Sequence, residues 1–455
     1  MIDSHINRYV PSAIPAALKQ VDFDTATKLI ACARQAQWSG EEFATLEFLS
    51  KRIEISKCLY ESYLISGGRA NSNLLALELM ILALPLLLKD MQRLMEIQRP
   101  TSAIKRLNAA LKLLDFLKAR NVELDKELVE LIHSTTTQFL QQHAHTETSP
   151  VAPLDNSSTK LPGNTLAVTV LFWEGPIARA YLAMLKDMGL KAEKIIHLVS
   201  RKDLASKKPV GRLLPGALRL AYAQYKQRNS IHHWSSVLQR SEANLCRSIR
   251  AEVEKGFGVS ATAIDDALAL HELSEYSSNV EQLLVDDLAD ETLYRHLAAL
   301  SETQILFTGG GIVPRKLLEL KQLKYIHIHP GFLPEVRGAD CALWSHLMKG
   351  RTSATCFYMA PGIDDGDVIH PTYLPALTFE VDTSGTQLKS LYRATYAFFD
   401  PWIRATVLRQ AIVRTQGFSQ VTAQAQIEED SVTYHFMHER IQNAAFETLF
   451  KQVRE

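Results

Sequence analysis

The sequence predicts an α/β domain, a mostly parallel sheet with helices on both faces, preceded by an all-α region and followed by a small α+β extension. Three observations carry this. Only Gly40, Gly67 and Gly68 of the 20 glycines precede residue 160, so the two parts of the chain are different kinds of structure. Before that point apolar residues recur at three- and four-residue spacing, as in Ile104, Leu107, Leu111, Leu114 and Leu117, the period of a helix face. Beyond it short apolar runs alternate with helical patterns, the order that produces a parallel sheet covered by helices.

Element by element, residues 1–142 read as a helical domain, with breaks at Gly67–Gly68 and Pro100. Residues 143–164 are rich in Ser, Thr, Pro and Asn and almost free of large apolar side chains, which is linker composition. A domain at 165–372 opens with a strand over Leu166–Phe172, a helix over Ile177–Met188 with Gly189 as its C-cap, and a second strand over Ile195–Val199. About 201–278 carry helical patterning too long for a connection and read as an insertion. A helix over Glu291–Leu300, a buried strand over Gln304–Thr308, a helix over Val313–Leu320 and a strand over Tyr325–His329 follow. Residues 373–455 form the C-terminal extension, with a helix near Gln387–Phe398 and another from His438.

Composition narrows the function classes. Fifty Lys+Arg balance fifty Asp+Glu, which disfavours a duplex-coating protein or a polybasic membrane binder, so no DNA partner is expected. The most apolar run, Leu74 to Leu88, contains Glu78 and Pro85 and falls short of the roughly 20 residues a bilayer requires. The polar start MIDSHINRYV lacks a signal-peptide core, and five cysteines, Cys32, Cys58, Cys246, Cys341 and Cys356, form no CxxC pair. A reducing cytoplasm fits this usage.

Chemistry concentrates between Gly309 and Asp367. Gly309, Gly310 and Gly311 follow one strand and His329-Pro330-Gly331 follow another, and ligands of open α/β sheets bind beyond the carboxyl ends of strands. His327 and His329 alternate with Ile326 and Ile328, so both imidazoles share one strand face. An HxH metal pair is the alternative, but too little chain follows His329 to complete the barrel such sites occupy. Cys341 and Cys356, without a nucleophile's surroundings, read as small buried hydrophobes.

The run His-Pro-Gly-Phe-Leu-Pro-Glu-Val-Arg-Gly at 329–338, followed by Ile-Asp-Asp-Gly-Asp-Val-Ile at 363–369, resembles the family of formyltransferases that use 10-formyltetrahydrofolate. The resemblance covers roughly 165–372 and implies a Rossmann-like domain whose Asn, His and Asp form a catalytic triad. Carried over, the His is His329, the Asp is Asp364, and His327 stands at the Asn position, where it is expected to donate to the oxyanion. Gly309, Gly310, Gly311, Leu333, Pro334, Arg337, Gly338 and Asp365 are the implied folate contacts. The co-substrate implied is 10-formyltetrahydrofolate, and no metal. After the first motif the family reads Gly-x-Thr-x-His, where this chain has Ser353 to Phe357 and retains only Thr355. The chemistry is consistent with that set: amine attack on a formyl carbon creates an oxyanion and a nitrogen that must lose a proton, so a site needs a donor, a proton shuttle such as His329, and a group such as Asp364 to orient it.

Within the family, HPGxLPxxRG with Trp344 after it is most similar to the branch that N-formylates nucleotide-linked amino sugars, which makes a small amine the expected acceptor. The alternatives are a formyltetrahydrofolate hydrolase, a methionyl-tRNA formyltransferase, and a catalytically impaired scaffold with a folate-binding domain. The tRNA branch carries a C-terminal OB-fold, whose evenly spaced strands are not visible after His370. The basic run Arg201, Lys202, Lys207, Lys208, Arg212, Arg219, Lys226 and Arg228 is either a diphosphate or folate-tail contact or a solvated face. A homodimer and a protein partner of the helical domain are compatible with this reading.

Overall fold

The computed structural model describes residues 71–119, 121–144, 154, 163–309, 311–427 and 431–451. The helical reading of the first 70 residues and the reading of Gly310 lie outside them, as does most of the linker. The chain divides into two compact units, Met1–Thr146 and Glu147–Glu455.

In the first unit α1 (Asn71–Glu96), α2 (Pro100–Lys118) and α3 (Lys126–His143) follow one another through short turns. Pro100 sits in the first turn of α2, where its missing N–H costs nothing, and the Asp125 carboxylate caps α3 by accepting from Glu127 N at 2.8 Å. Ile104, Leu107, Leu111 and Leu114 are all fully buried, as their spacing requires. The buried Asp90 of α1 receives Arg106 Nε of α2 at 2.6 Å, an ion pair that fixes the register of the two helices.

The second unit is built on one sheet. Its first half is β1 (Thr165–Trp173), α4 (Pro176–Asp187), β2 (Lys191–Ser200), then α5 (Gly216–Ser241), α6 (Ala243–Phe257) and α7 (Ala261–Ala269), and β3 (Val280–Val285). The second half is α8 (Glu291–Ala298), β4 (Thr303–Phe307), α9 (Arg315–Leu318), β5 (Leu323–His329), β6 (Arg337–Gly338), α10 (Cys341–Lys349), β7 (Ser353–Tyr358) and β8 (Val368–Tyr373). Strand order is β3-β2-β1-β4-β5-β7-β8. The first five strands in that order are parallel, while β7 pairs antiparallel with both β5 and β8 at the end of the sheet. The order reverses between β1 and β4, so the carboxyl ends of these strands part and leave a crevice. The helix expected over Val313–Leu320 is a single turn, because Pro314 starts it late and β5 begins at Leu323.

Residues beyond β8 wrap back onto this sheet. They form β9 (Phe379–Glu380), α11 (Leu388–Ala394), a π-helical turn over Thr395–Phe399, α12 (Asp400–Arg414), β10 (Thr433–Tyr434), α13 (Glu439–Leu449) and β11 (Phe450–Lys451). The helix expected to stop near Phe398 instead continues into α12, because Pro401 occupies the first turn, where proline is tolerated. Helix α12 packs on α4, β5, β7 and β8, β10 pairs with β6, and β11 pairs with β9. No described helix is long and apolar enough to cross a membrane.

Candidate active site

His329 ends β5 and is 2 % exposed. Its neighbours Ile326 and Ile328 are fully buried on the other face, the alternation that β geometry imposes. The ring is held from both sides: Nε2 lies 2.8 Å from Val336 O and Nδ1 lies 3.2 Å from Asp364 Oδ1. A carbonyl oxygen can only accept, so Nε2 carries a proton directed at Val336. Asp364 takes a left-handed backbone (φ 50) that turns its carboxylate inward, and Oδ2 accepts Gly338 N at 2.8 Å. Burial raises the Asp364 pKa, but the His329 charge and hydrogen bond and the Gly338 N–H outweigh it and hold the carboxyl down to about 2.

Three supports fix this pair. A Cβ at Gly331 would fall inside the Val336 carbonyl oxygen and 2.8 Å from His329 Nε2, so the Pro-Gly turn closes over the ring only because residue 331 has no side chain. Thr355, opposite His329 on β7, donates to Gly331 O at 2.7 Å and accepts from Leu333 N at 3.0 Å. Gln426 donates to Asp364 O at 3.0 Å and Gly366 O at 2.8 Å, while its own Oε1 accepts from Arg337 at 2.8 Å.

His327 lies on the same strand face, its Nδ1 3.3 Å from Phe307 O. Its ring sits between those of Phe307 and Phe357, with centroids 5.6 and 6.0 Å away. Desolvation and the Arg404 cation lower its pKa to about 3, against the opposing pull of Asp364. Arg404, on α12, donates to Ile328 O at 2.9 Å and to Asp400 Oδ2 at 2.8 Å. Beside this group a cavity of about 320 Å³ opens at the β1–β4 divide, lined by Trp173, Phe307, Gly309, Gly311, Ile312 and Pro314 among others.

A buried carboxylate–histidine pair at the carboxyl end of a strand is the arrangement of a proton-handling site, and Phe307, which contacts the neighbouring His327, also lines the glycine-lined cavity. Residues 272–396 match the family model for formyl transferases. These residues are a formyltransferase domain. Among curated relatives, the methionyl-tRNA formyltransferase of Natranaerobius thermophilus is 32% identical over 119 residues, 24% of this chain and 37% of that protein. The methionyl-tRNA formyltransferase of Syntrophus aciditrophicus is 40% identical over 62 residues, 13% of this chain and 20% of the relative. The chain thus spans between a fifth and little more than a third of the length of these curated relatives. Among solved structures, a sugar N-formyltransferase from Shewanella sp. FDAARGOS_354 aligns at 17% identity over 54% of this chain and 77% of its own, with a TM-score of 0.27. A 4-N formyltransferase from Francisella tularensis aligns at 12% identity over 64% and 91%, with a TM-score of 0.33.

In the second unit the residues singled out from sequence divide by position. His327, His329 and Asp364 come together at the end of β5. Gly309 and Gly311 line the cavity. Leu333 and Arg337 are buried, and with Gly338 they build the loop that carries Val336 O and receives Asp364. Asp365 accepts from Gly366 N at 3.0 Å within its own turn. The basic run is partly engaged elsewhere: Arg201 pairs with Asp290 and Asp286, Lys202 with Asp286 and Arg228 with Glu272. Trp344 is buried, stacked on Tyr434.

Sequence reasoning missed Gln426, Arg404 and Glu174. Glu174 follows β1 directly, and Arg179 grips it with Nε at 2.8 Å and Nη2 at 2.6 Å. Burial alone would raise its pKa, yet Arg179 and His232 hold it far below the carboxylate range. Its place between strand and helix, five residues before an arginine, was the available signal.

Proposed function

We propose that the chain transfers a formyl group from 10-formyltetrahydrofolate to the amine of a small acceptor, a nucleotide-linked amino sugar, in the cytoplasm. The observation that carries the reading is the His329–Asp364 pair, closed by Val336 O and Gly338 N. The cavity's aromatic walls and side-chain-free Gly309 and Gly311 suit a flat heterocycle approached by backbone. Val336 O and the ionised Asp364 fix the His329 ring in one orientation at the carboxyl end of β5. A small acceptor is supported by the described residues 374–427 and 431–451, which form helices and two-residue strands and not the five-stranded barrel of an OB-fold. The sugar N-formylating resemblance of the 329–338 motif points the same way.

The test incubates the protein with 10-formyltetrahydrofolate and three acceptors in parallel: nucleotide amino sugars, methionyl-tRNA, and water alone. Tetrahydrofolate formation is followed optically and the acceptor by mass. A formamide on the sugar is expected, and His329→Ala should lower the rate by about 10²–10³. Formylated tRNA, or formate released equally without amine, would reassign the acceptor; absence of both folate binding and turnover would sink the reading.

A further inference from the structure

We infer that His327 is the base that takes the proton from the attacking amine; this rests on the formyl-transfer reading and deepens it. The Phe307 carbonyl sets the tautomer of His327. It has no proton to give, so its 3.3 Å contact with His327 Nδ1 places the ring's hydrogen on Nδ1. A neutral imidazole has one N–H. Its Nε2 is then a bare lone pair, and it has no hydrogen-bond partner among the described residues. The ring is only half-buried, so this nitrogen is not sealed away.

His329 offers no such nitrogen. Its Nε2 is directed at Val336 O and its Nδ1 at the Asp364 carboxylate. Of the two histidines on this strand face, His329 has both nitrogens engaged, and His327 presents an acceptor. That is the reverse of the assignment the motif implies, in which His327 would donate to the oxyanion.

The surroundings keep His327 in its neutral form. The Phe307 and Phe357 rings lie within 6.0 Å of it, while Arg404 from α12, the His329 ring beside it and the Asp364 carboxylate from the 363–366 turn are the charged or titratable groups that act on it. Burial and Arg404 lower its proton affinity, so the base stays unprotonated well into acid. The missing counter-charge arrives with the reaction: as the amine nitrogen bonds to the formyl carbon, the carbonyl π pair moves to oxygen. That oxyanion favours a proton on the neighbouring ring. The N–H proton passes to Nε2. Collapse of the intermediate breaks the bond from carbon to N10 of the folate, and N10 takes the proton back from the imidazolium. The products are the formamide and tetrahydrofolate, with the ring restored.

The experiment uses the full chain, 10-formyltetrahydrofolate as donor and hydroxylamine as a nucleophile small enough to need no acceptor pocket. Binding of 5-formyltetrahydrofolate is measured separately by calorimetry. His327→Ala should keep that binding, lose about 10²–10⁴ in transfer rate, and recover on addition of imidazole, with recovery increasing with the basicity of substituted imidazoles. His327→Asn, which has an N–H donor but no basic nitrogen, should fail as badly as the alanine variant. An Asn variant near the parent rate, or an Ala variant that imidazole does not rescue, overturns the assignment in favour of a donor or packing role. A parent protein that neither binds the folate nor transfers formyl overturns the underlying reading instead.

Discussion

Asp364 is held ionised by a small set of contacts, and its stability contribution has a definite pH window. Its folded pKa lies near 2 against an ordinary 3.8, so the contribution is complete above the ordinary value and is lost as pH falls from about 4 to about 2. A shift of this size corresponds to about 2 kcal/mol. Asp364→Asn should therefore unfold about 2 kcal/mol more easily in urea at neutral pH and show a flatter acid limb; an unchanged limb would mean the carboxylate is not held as described. His329 and Asp364 were legible in the sequence because each lies in a contiguous motif with unusual residues. Gln426 was not, since the contact that makes it matter spans 62 residues to Asp364 and nothing local marks a glutamine as a clamp. Arg337 was legible as special but not in its role: its guanidinium holds Gln426 Oε1. Gln426→Ala would strip partners from two backbone carbonyls and a buried arginine, and is expected to cost about 1–3 kcal/mol together with a drop in transfer rate measured at a temperature where the variant stays folded.

The strands of the parallel half were readable from apolar runs, and β1, β2, β4 and β5 fall where the pattern puts them. Helix α12 was not, because Pro401 resembles a stop when its neighbours in space are unknown. Its Arg404 reaches under β5 to Ile328 O and Asp400, and Asp400 is fully buried. Arg404→Met should destabilise by about 3–5 kcal/mol because a carboxylate is left uncompensated, while the double change Arg404→Met with Asp400→Leu should recover much of that loss in the same denaturant titration. The turn between β5 and β6 is equally specific. Gly331→Ala should cost about 1–3 kcal/mol and lower activity more than stability, since Val336 O must leave His329 to make room; a variant with parent kinetics would show that this closure is dispensable.

At the scale of the molecule, Met1–Thr146 and Glu147–Glu455 are separate compact units, so a chain starting near Leu161 should be soluble and retain chemistry. A chain ending at residue 372 should not, for it lacks Arg404, Gln426 and β10; aggregation or loss of a cooperative transition in circular dichroism is the expected readout. The pairing of β6 with β10 joins Arg337 to Thr433. A ribosome delivers residues one at a time, at about 5–20 per second, so the histidine and aspartate emerge several seconds before the strand that closes their loop. A nascent or prematurely terminated chain thus carries both motifs without the strand that closes their loop.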